Sequence, residues 1–238
     1  MDQNKYKKLK QIVEKEPLWY QNSEIKYLVS LFRKKHLTKE EISHKYLYKK
    51  LFKESDFITG EKGYNWDQWR LPIECVVIHH TSSSPTISLD ELNALGLRLY
   101  IEQYNKDKDV TNQPIHSNHY WHGKPKTKNN MSFVSYHYLI RPNGKVTQMV
   151  DGSACLWHAG NWDVNRKSIG IAIAGKFNDR EPNKEVLISL ADIVRKYKIS
   201  KEKVYGHCEV INKELLGDTV CPGNLFLDSW KNKLVKII

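Results

Sequence analysis

The sequence predicts an α/β protein with a mixed central β-sheet flanked by helices, preceded by a small all-α N-terminal unit. Three observations carry this reading. Short β-branched runs alternate with stretches of helical apolar spacing from residue 73 onward, one pair of alternating runs brackets a Pro-Asn-Gly turn, and three helix-period segments lie ahead of residue 53. Interleaved helices favour parallel strand pairs, while a tight turn forces an antiparallel one, so the expected sheet is mixed.

Residues 4–16, 23–36 and 38–52 read as helices. The second carries Ile25, Leu28, Val29, Leu31 and Phe32 on one side, and the third opens with Thr38 and Glu41 at the spacing of a capping box. The stretch FITGEKGYNWDQWR, with Gly60 and Gly63, interrupts that periodicity. The expected layout is therefore a basic helical unit over 1–60 with a targeting or accessory role, a linker over 61–72 and the main domain over 73–238. Within that domain IECVVIHH reads as a buried strand ending in polar residues, and 89–105 as a helix. A polar stretch, 106–130, holds His116, His119, Trp121 and His122 and is expected to form a rim. VSYHYLI and KVTQMV flank the turn of a hairpin, SIGIAIAG is another strand, 183–198 a helix and KVYGH a last short strand.

Composition narrows the function classes. In 238 residues, 40% hydrophobic content with seven Trp and thirteen Tyr gives enough apolar mass for a packed core, which excludes a disordered chain. No run approaches the roughly 18 apolar residues of a membrane span. The opening MDQNKYKKLKQIVEKEP lacks an apolar segment before a cleavage site, so synthesis and retention in the cytoplasm without a signal peptide is the expectation. Cys75, Cys155, Cys208 and Cys221 are too scattered for a disulfide scaffold and point to buried thiols or metal ligation. The net charge of +11 suits anionic partners: nucleic acid, anionic lipid or the phosphate polymers of a bacterial envelope. Up to Arg70 there are 16 basic against 10 acidic residues, so the excess per residue is concentrated in the N-terminal part. A nucleic-acid role for that part is not favoured, because the turn over 35–39 lacks a helix-turn-helix glycine and a solvated face explains such charge.

Catalytic zinc takes three protein ligands from His, Cys and carboxylate and keeps one position open. His79 ends the first core strand, His207 follows KVYG, and Cys221 lies in the TVCPG loop. Taken singly, a histidine at a strand end is more often structural and a lone cysteine more often a small buried hydrophobe.

Four strings in order change the weight of that set: VVIHHTSSSP, VSYHYLIRPNGKVTQMV, WHAGNWDVNRKSIGIAIAG and GHCEV…DTVCPGNLF. Over about residues 73–227 they resemble the successive motifs of the type 2 N-acetylmuramoyl-L-alanine amidases, a family that includes phage amidases and peptidoglycan recognition proteins. The resemblance implies one Zn2+ held by His79, His207 and Cys221, with His80 and Cys208 outside the ligand set. It implies Tyr136 as the active-site tyrosine and Thr219 as a catalytic residue, standing where phage enzymes carry a lysine. His137, next in the strand, is expected to face the other way. Trp157, His158 and Asn165 are implied at the substrate groove, with Trp162 near them. The partner implied is peptidoglycan or a soluble muropeptide, with anionic wall polymers as a second partner for a monomeric chain. The activity implied is cleavage between the lactyl group of N-acetylmuramic acid and L-alanine, as a lysin or autolysin reaching the wall after release. Two alternatives stand beside it: an amidase recycling muropeptides in the cytoplasm, and a recognition module that binds without cutting. The second fits less well, since binding-only members usually lack the cysteine.

Overall fold

A computed structural model describes residues 3–16, 19–55, 66–99 and 134–238. The chain divides into two compact units, Met1–Asn65 with Ser88–Val134 and Trp66–Ile87 with Ser135–Ile238. The helical unit thus takes in a segment expected, from sequence, to belong to the main domain.

That unit contains α1 (Gln3–Lys15), α2 (Ser23–Ser30), α3 (Lys39–Glu54) and α4 (Leu89–Leu99). The Thr38–Glu41 capping box forms: the Thr38 hydroxyl accepts from the Glu41 N–H and the Glu41 carboxylate accepts from the Thr38 N–H. Asn22 caps α2 through the N–H groups of Glu24 and Ile25, and a 3-10 turn, Leu31–Arg33, ends that helix earlier than its apolar spacing implies. Leu9, Val13, Trp19, Ile25, Leu28, Tyr48 and Leu51 bury completely, and Ala94 of α4 joins the same core. This shared core is why α4 belongs here. Residues 100–105 of the expected 89–105 helix, and the whole 106–130 stretch, lie outside the described residues, as does much of the expected linker.

The second unit is built on a mixed five-stranded sheet, as its sequence pattern implies. Its strands are β1 (Cys75–His80), β2 (Tyr138–Ile140), β3 (Val146–Gln148), β4 (Ser168–Ile173) and β5 (Val204–Gly206), in the order β3-β2-β4-β1-β5. β2 and β3 form the antiparallel hairpin about the Pro-Asn-Gly turn, and the other pairs are parallel. Six consecutive buried residues in each of β1 and β4 mark strands covered on both faces. Their register sets Cys75 against Ser168 and His79 against Ala172.

Helices complete the layers: α5 (Trp162–Asn165), α6 (Lys184–Lys196), α7 (His207–Val210), α8 (Lys213–Leu216) and α9 (Lys231–Ile237). Asn183 caps α6, which buries Val186, Leu187, Leu190, Ala191, Ile193 and Val194 in one core with Ile78, Ile171 and Val204. Each Val, Leu or Ile among them contributes about 1.5–3 kcal/mol when fully buried. α9 packs against α6, and the π-helical turn Phe226–Trp230 before it sends Phe226 and Trp230 into the same core. Among the described residues no helix is long and apolar enough to cross a membrane.

Candidate metal centre

β1 and β5 run parallel side by side, so their C-terminal ends open on the same edge of the sheet. His79 is the fifth residue of β1 and is 1% exposed; His207 begins α7 at the end of β5. The α7 turn is tied off by Glu209, whose carboxylate accepts from the Gly206 N–H at 2.8 Å. Cys221 arrives from a loop, with its carbonyl accepting from the Cys208 N–H at 2.8 Å. One ligand atom from each of His79, His207 and Cys221 lies within 4.8 Å of the others, a group able to hold a metal ion. It brings together residues 142 positions apart in sequence.

Each donor has an atom to spare. His79 turns Nδ1 toward Cys221 Sγ, 3.8 Å away, while its Nε2 is engaged with His158 at 3.1 Å. His207 Nε2 is buried with no hydrogen-bond partner among the described residues. A buried polar atom left bare costs free energy, and a cation at that point removes the cost. Two imidazoles and one thiol are also the donor chemistry of zinc.

The electrostatics agree with this. Burial, followed by the neighbouring His207, His158 and His80, holds His79 well below the usual imidazole range. Burial lowers His207 to about 4, against a backbone hydrogen bond to Ala159 that works the other way. The two rings are therefore neutral, with lone pairs available, at ordinary pH. Cys221 is pushed up to about 12 by burial, so its thiolate needs a cation beside it.

The expected residues divide into three groups. Tyr136 is half-buried with its ring centroid 5.0 Å from that of His79, beside the metal-ligand group. Thr219 is also half-buried and its Oγ1 accepts from the Cys221 N–H at 3.2 Å, so it shapes the cysteine loop. Trp157 stacks on Trp162 at 5.0 Å between centroids. His158 and Asn165, expected at the substrate groove, are buried, at 6% and 0% exposed. The Asn165 Oδ1 accepts from the N–H groups of His158 and Ala159, and His158 spans His79 and the Ser168 hydroxyl. Their position near a Gly turn in sequence gave no sign of this burial.

Of the neighbours set aside as ligands, His80 donates its backbone N–H to Cys221 Sγ at 3.5 Å and its ring Nδ1 accepts from the Phe177 N–H. His137 is fully buried, bonded to the Ala154 carbonyl and the Gly170 N–H, a satisfied structural histidine. Sequence reasoning missed Arg70, Ser168 and Gly170. Arg70 donates to the carbonyls of Gly152, Asn165 and Ser168 and so pins the segment that carries Asn165. Gly170 leaves room for His158, because a Cβ there would stand 2.7 Å from the imidazole. No short-range pattern marks these three, whose partners are mostly distant in sequence.

A family model described as N-acetylmuramoyl-L-alanine amidase matches residues 69–224. The chain is 32% identical over 115 residues to 1,6-anhydro-N-acetylmuramyl-L-alanine amidase AmpD of Haemophilus influenzae, a match covering 44% of this chain and 59% of that protein. It is 31% identical over 109 residues to peptidoglycan-recognition protein SD of Drosophila melanogaster, covering 44% and 57%. The chain thus spans under two thirds of the length of these curated relatives. Among solved structures, the endolysin N-acetylmuramoyl-L-alanine amidase LysCS from Clostridium intestinale aligns at a TM-score of 0.46 and 20% identity, over 71% of this chain and 88% of that one.

Proposed function

Because the chain belongs to the N-acetylmuramoyl-L-alanine amidase family, we propose that it is an active, zinc-dependent member. It hydrolyses the amide between the lactyl group of N-acetylmuramic acid and L-alanine in peptidoglycan. The observation that carries this reading is the meeting of His79, His207 and Cys221 within 4.8 Å, with a thiol as third donor.

Zinc, when bound, supplies a Lewis acid that polarises the amide carbonyl and makes water a competent nucleophile near neutral pH. The protein's own groups do the rest. Neutral His79 and His207 and the Cys221 thiolate leave a divalent ion with a formal charge of +1. Tyr136, beside His79, offers a hydroxyl to the carbonyl oxygen as negative charge develops there, and such donors typically contribute about 10²–10³-fold in rate. Thr219 holds the Cys221 backbone and adds no formal charge, so Tyr136 carries the larger share of this stabilisation. Trp157, stacked on Trp162, offers an aromatic face to a sugar or stem peptide.

In this reading the enzyme is a lysin or autolysin acting on intact wall, and the basic helical unit aids attachment to anionic wall polymers. The likeness to AmpD, named as a 1,6-anhydro-N-acetylmuramyl-L-alanine amidase, supports a second reading, recycling of muropeptides. Incubating the protein with insoluble sacculi and with soluble muropeptides, and identifying products by mass, separates the two. Release of free stem peptides from sacculi supports the lysin; turnover of soluble fragments alone supports recycling. Absence of stoichiometric zinc in the purified protein, with no cleavage of either substrate, defeats both.

A further inference from the structure

The buried dipeptide His158–Ala159 reaches both histidines of the metal-ligand group. Its side chain meets His79: Nδ1 of His158 stands 3.1 Å from Nε2 of His79, the nitrogen opposite the one that faces Cys221. Its backbone meets His207, whose ring hydrogen-bonds to Ala159. The dipeptide is itself fixed. Asn165 Oδ1 accepts both of its N–H groups, at 3.1 and 2.8 Å, and His158 Nε2 stands 3.1 Å from the Ser168 hydroxyl. Arg70 in turn donates to the carbonyls of Asn165 and Ser168 at 2.8 Å each.

The His79–His158 bond has two possible directions, and only one leaves a ligand. If His158 donates, the His79 proton must sit on Nδ1, where it blocks the nitrogen turned toward Cys221. If His79 donates from Nε2, its Nδ1 lone pair is free, and His158 then carries its own proton on Nε2 and donates to Ser168 Oγ. The Ser168 hydroxyl can accept from or donate to His158 Nε2, so it completes the chain in either direction, and it is the ligand role of His79 that selects the second.

We infer that His158 is a positioning residue that fixes the tautomer of His79, and that the His158–Ala159 dipeptide aligns both histidine ligands from a single rigid support. The inference rests on the proposed zinc site. It gives His158 a role in ligand orientation in place of substrate contact, and it makes Asn165 and Arg70 supports of that dipeptide.

The test uses the full chain as parent, His158→Leu, His158→Asn and Ser168→Ala. Asn restores an oxygen acceptor near the position of Nδ1; Leu offers none. Zinc affinity is read by chelator competition, and the His79 tautomer by long-range ¹H–¹⁵N correlation in the metal-free protein. The expected results are an Nε2–H tautomer of His79 in the parent and loss of that preference in His158→Leu. Zinc binding in His158→Leu weakens by about 10–100-fold. His158→Asn recovers most of that loss, and Ser168→Ala shows a smaller loss in the same direction. Equal zinc affinity in parent and His158→Leu, or an Nδ1–H tautomer of His79 in the parent, overturns the inference. If His158→Leu does not fold, His158→Asn and Ser168→Ala decide between the same two results. A parent that binds no zinc overturns the zinc reading instead, and the tautomer comparison then decides the role of His158 by itself.

Discussion

The two sides of the metal-ligand group are built in opposite ways. His79 sits on a strand buried along its whole length, backed by His158, Ser168 and Asn165, all nearly or wholly inaccessible. Cys221 comes from a loop whose neighbours Asp218 and Val220 are exposed, held by three bonds: from the N–H groups of His80 and Cys208 to the cysteine, and from its own N–H to Thr219. A rigid sheet fixes direction by itself, whereas a loop depends on such tethers to hold its donor in place. The difference teaches that ligand identity matters most on the loop side, while packing and proton placement matter most on the sheet side.

The largest effect falls on the loop. Cys221→Ser removes the soft donor, and the expected outcome is loss of stoichiometric zinc by metal analysis together with loss of amide cleavage. Retention of both would mean that the loop is not a ligand arm at all. Next comes Tyr136→Phe, which keeps the ring beside His79 and deletes only the hydroxyl. Cleavage should fall by about 10²–10³-fold with zinc content unchanged. A fall in zinc content along with rate would assign Tyr136 to holding the centre and not to the reacting carbonyl.

The sheet side is broken by acid. His207 titrates near 4 in the folded protein against the ordinary 6.5, so between those values the unfolded chain binds more protons than the folded one. Stability from keeping this ring neutral is present above pH 6.5 and is lost as pH falls toward 4; burial of His79 and His158 adds in the same direction. Urea midpoints of the metal-free protein should therefore decline steadily from pH 7 to pH 4.5. A flat profile would contradict the buried neutral cluster. Gly170→Ala tests the same side sterically: its Cβ would press on the fully enclosed His158 ring, at an expected cost of about 1–3 kcal/mol in denaturant unfolding. The smallest effect belongs to Thr219→Val, which takes one acceptor from the Cys221 N–H and should cost about 1 kcal/mol, seen as a modest loss of zinc affinity.

What could be read from sequence follows the same division between local and distant causes. The Thr38 capping box, the hairpin about Pro142 and Asn143, and the strands ending at His80 and Gly206 rest on neighbours within a few residues, and all formed where their spacing puts them. The membership of α4 in the helical core, the burial of Phe226 and Trp230, and the inward turn of His158 and Asn165 depend on contacts across long stretches of chain. Arg70 is the plainest case. Its carbonyl partners lie 82 to 98 residues away, and no motif in its vicinity distinguishes it from a solvated surface arginine.

His79 and His80 are adjacent on a strand, so they face opposite sides: one toward the cysteine, the other toward the backbone of Phe177. A slip of this interior strand by a single residue would exchange the two and scatter the donor set. Under the proposed zinc reading, retention of the ion would therefore also report strand pairing, since only molecules with β1 in this frame bring the three donors together.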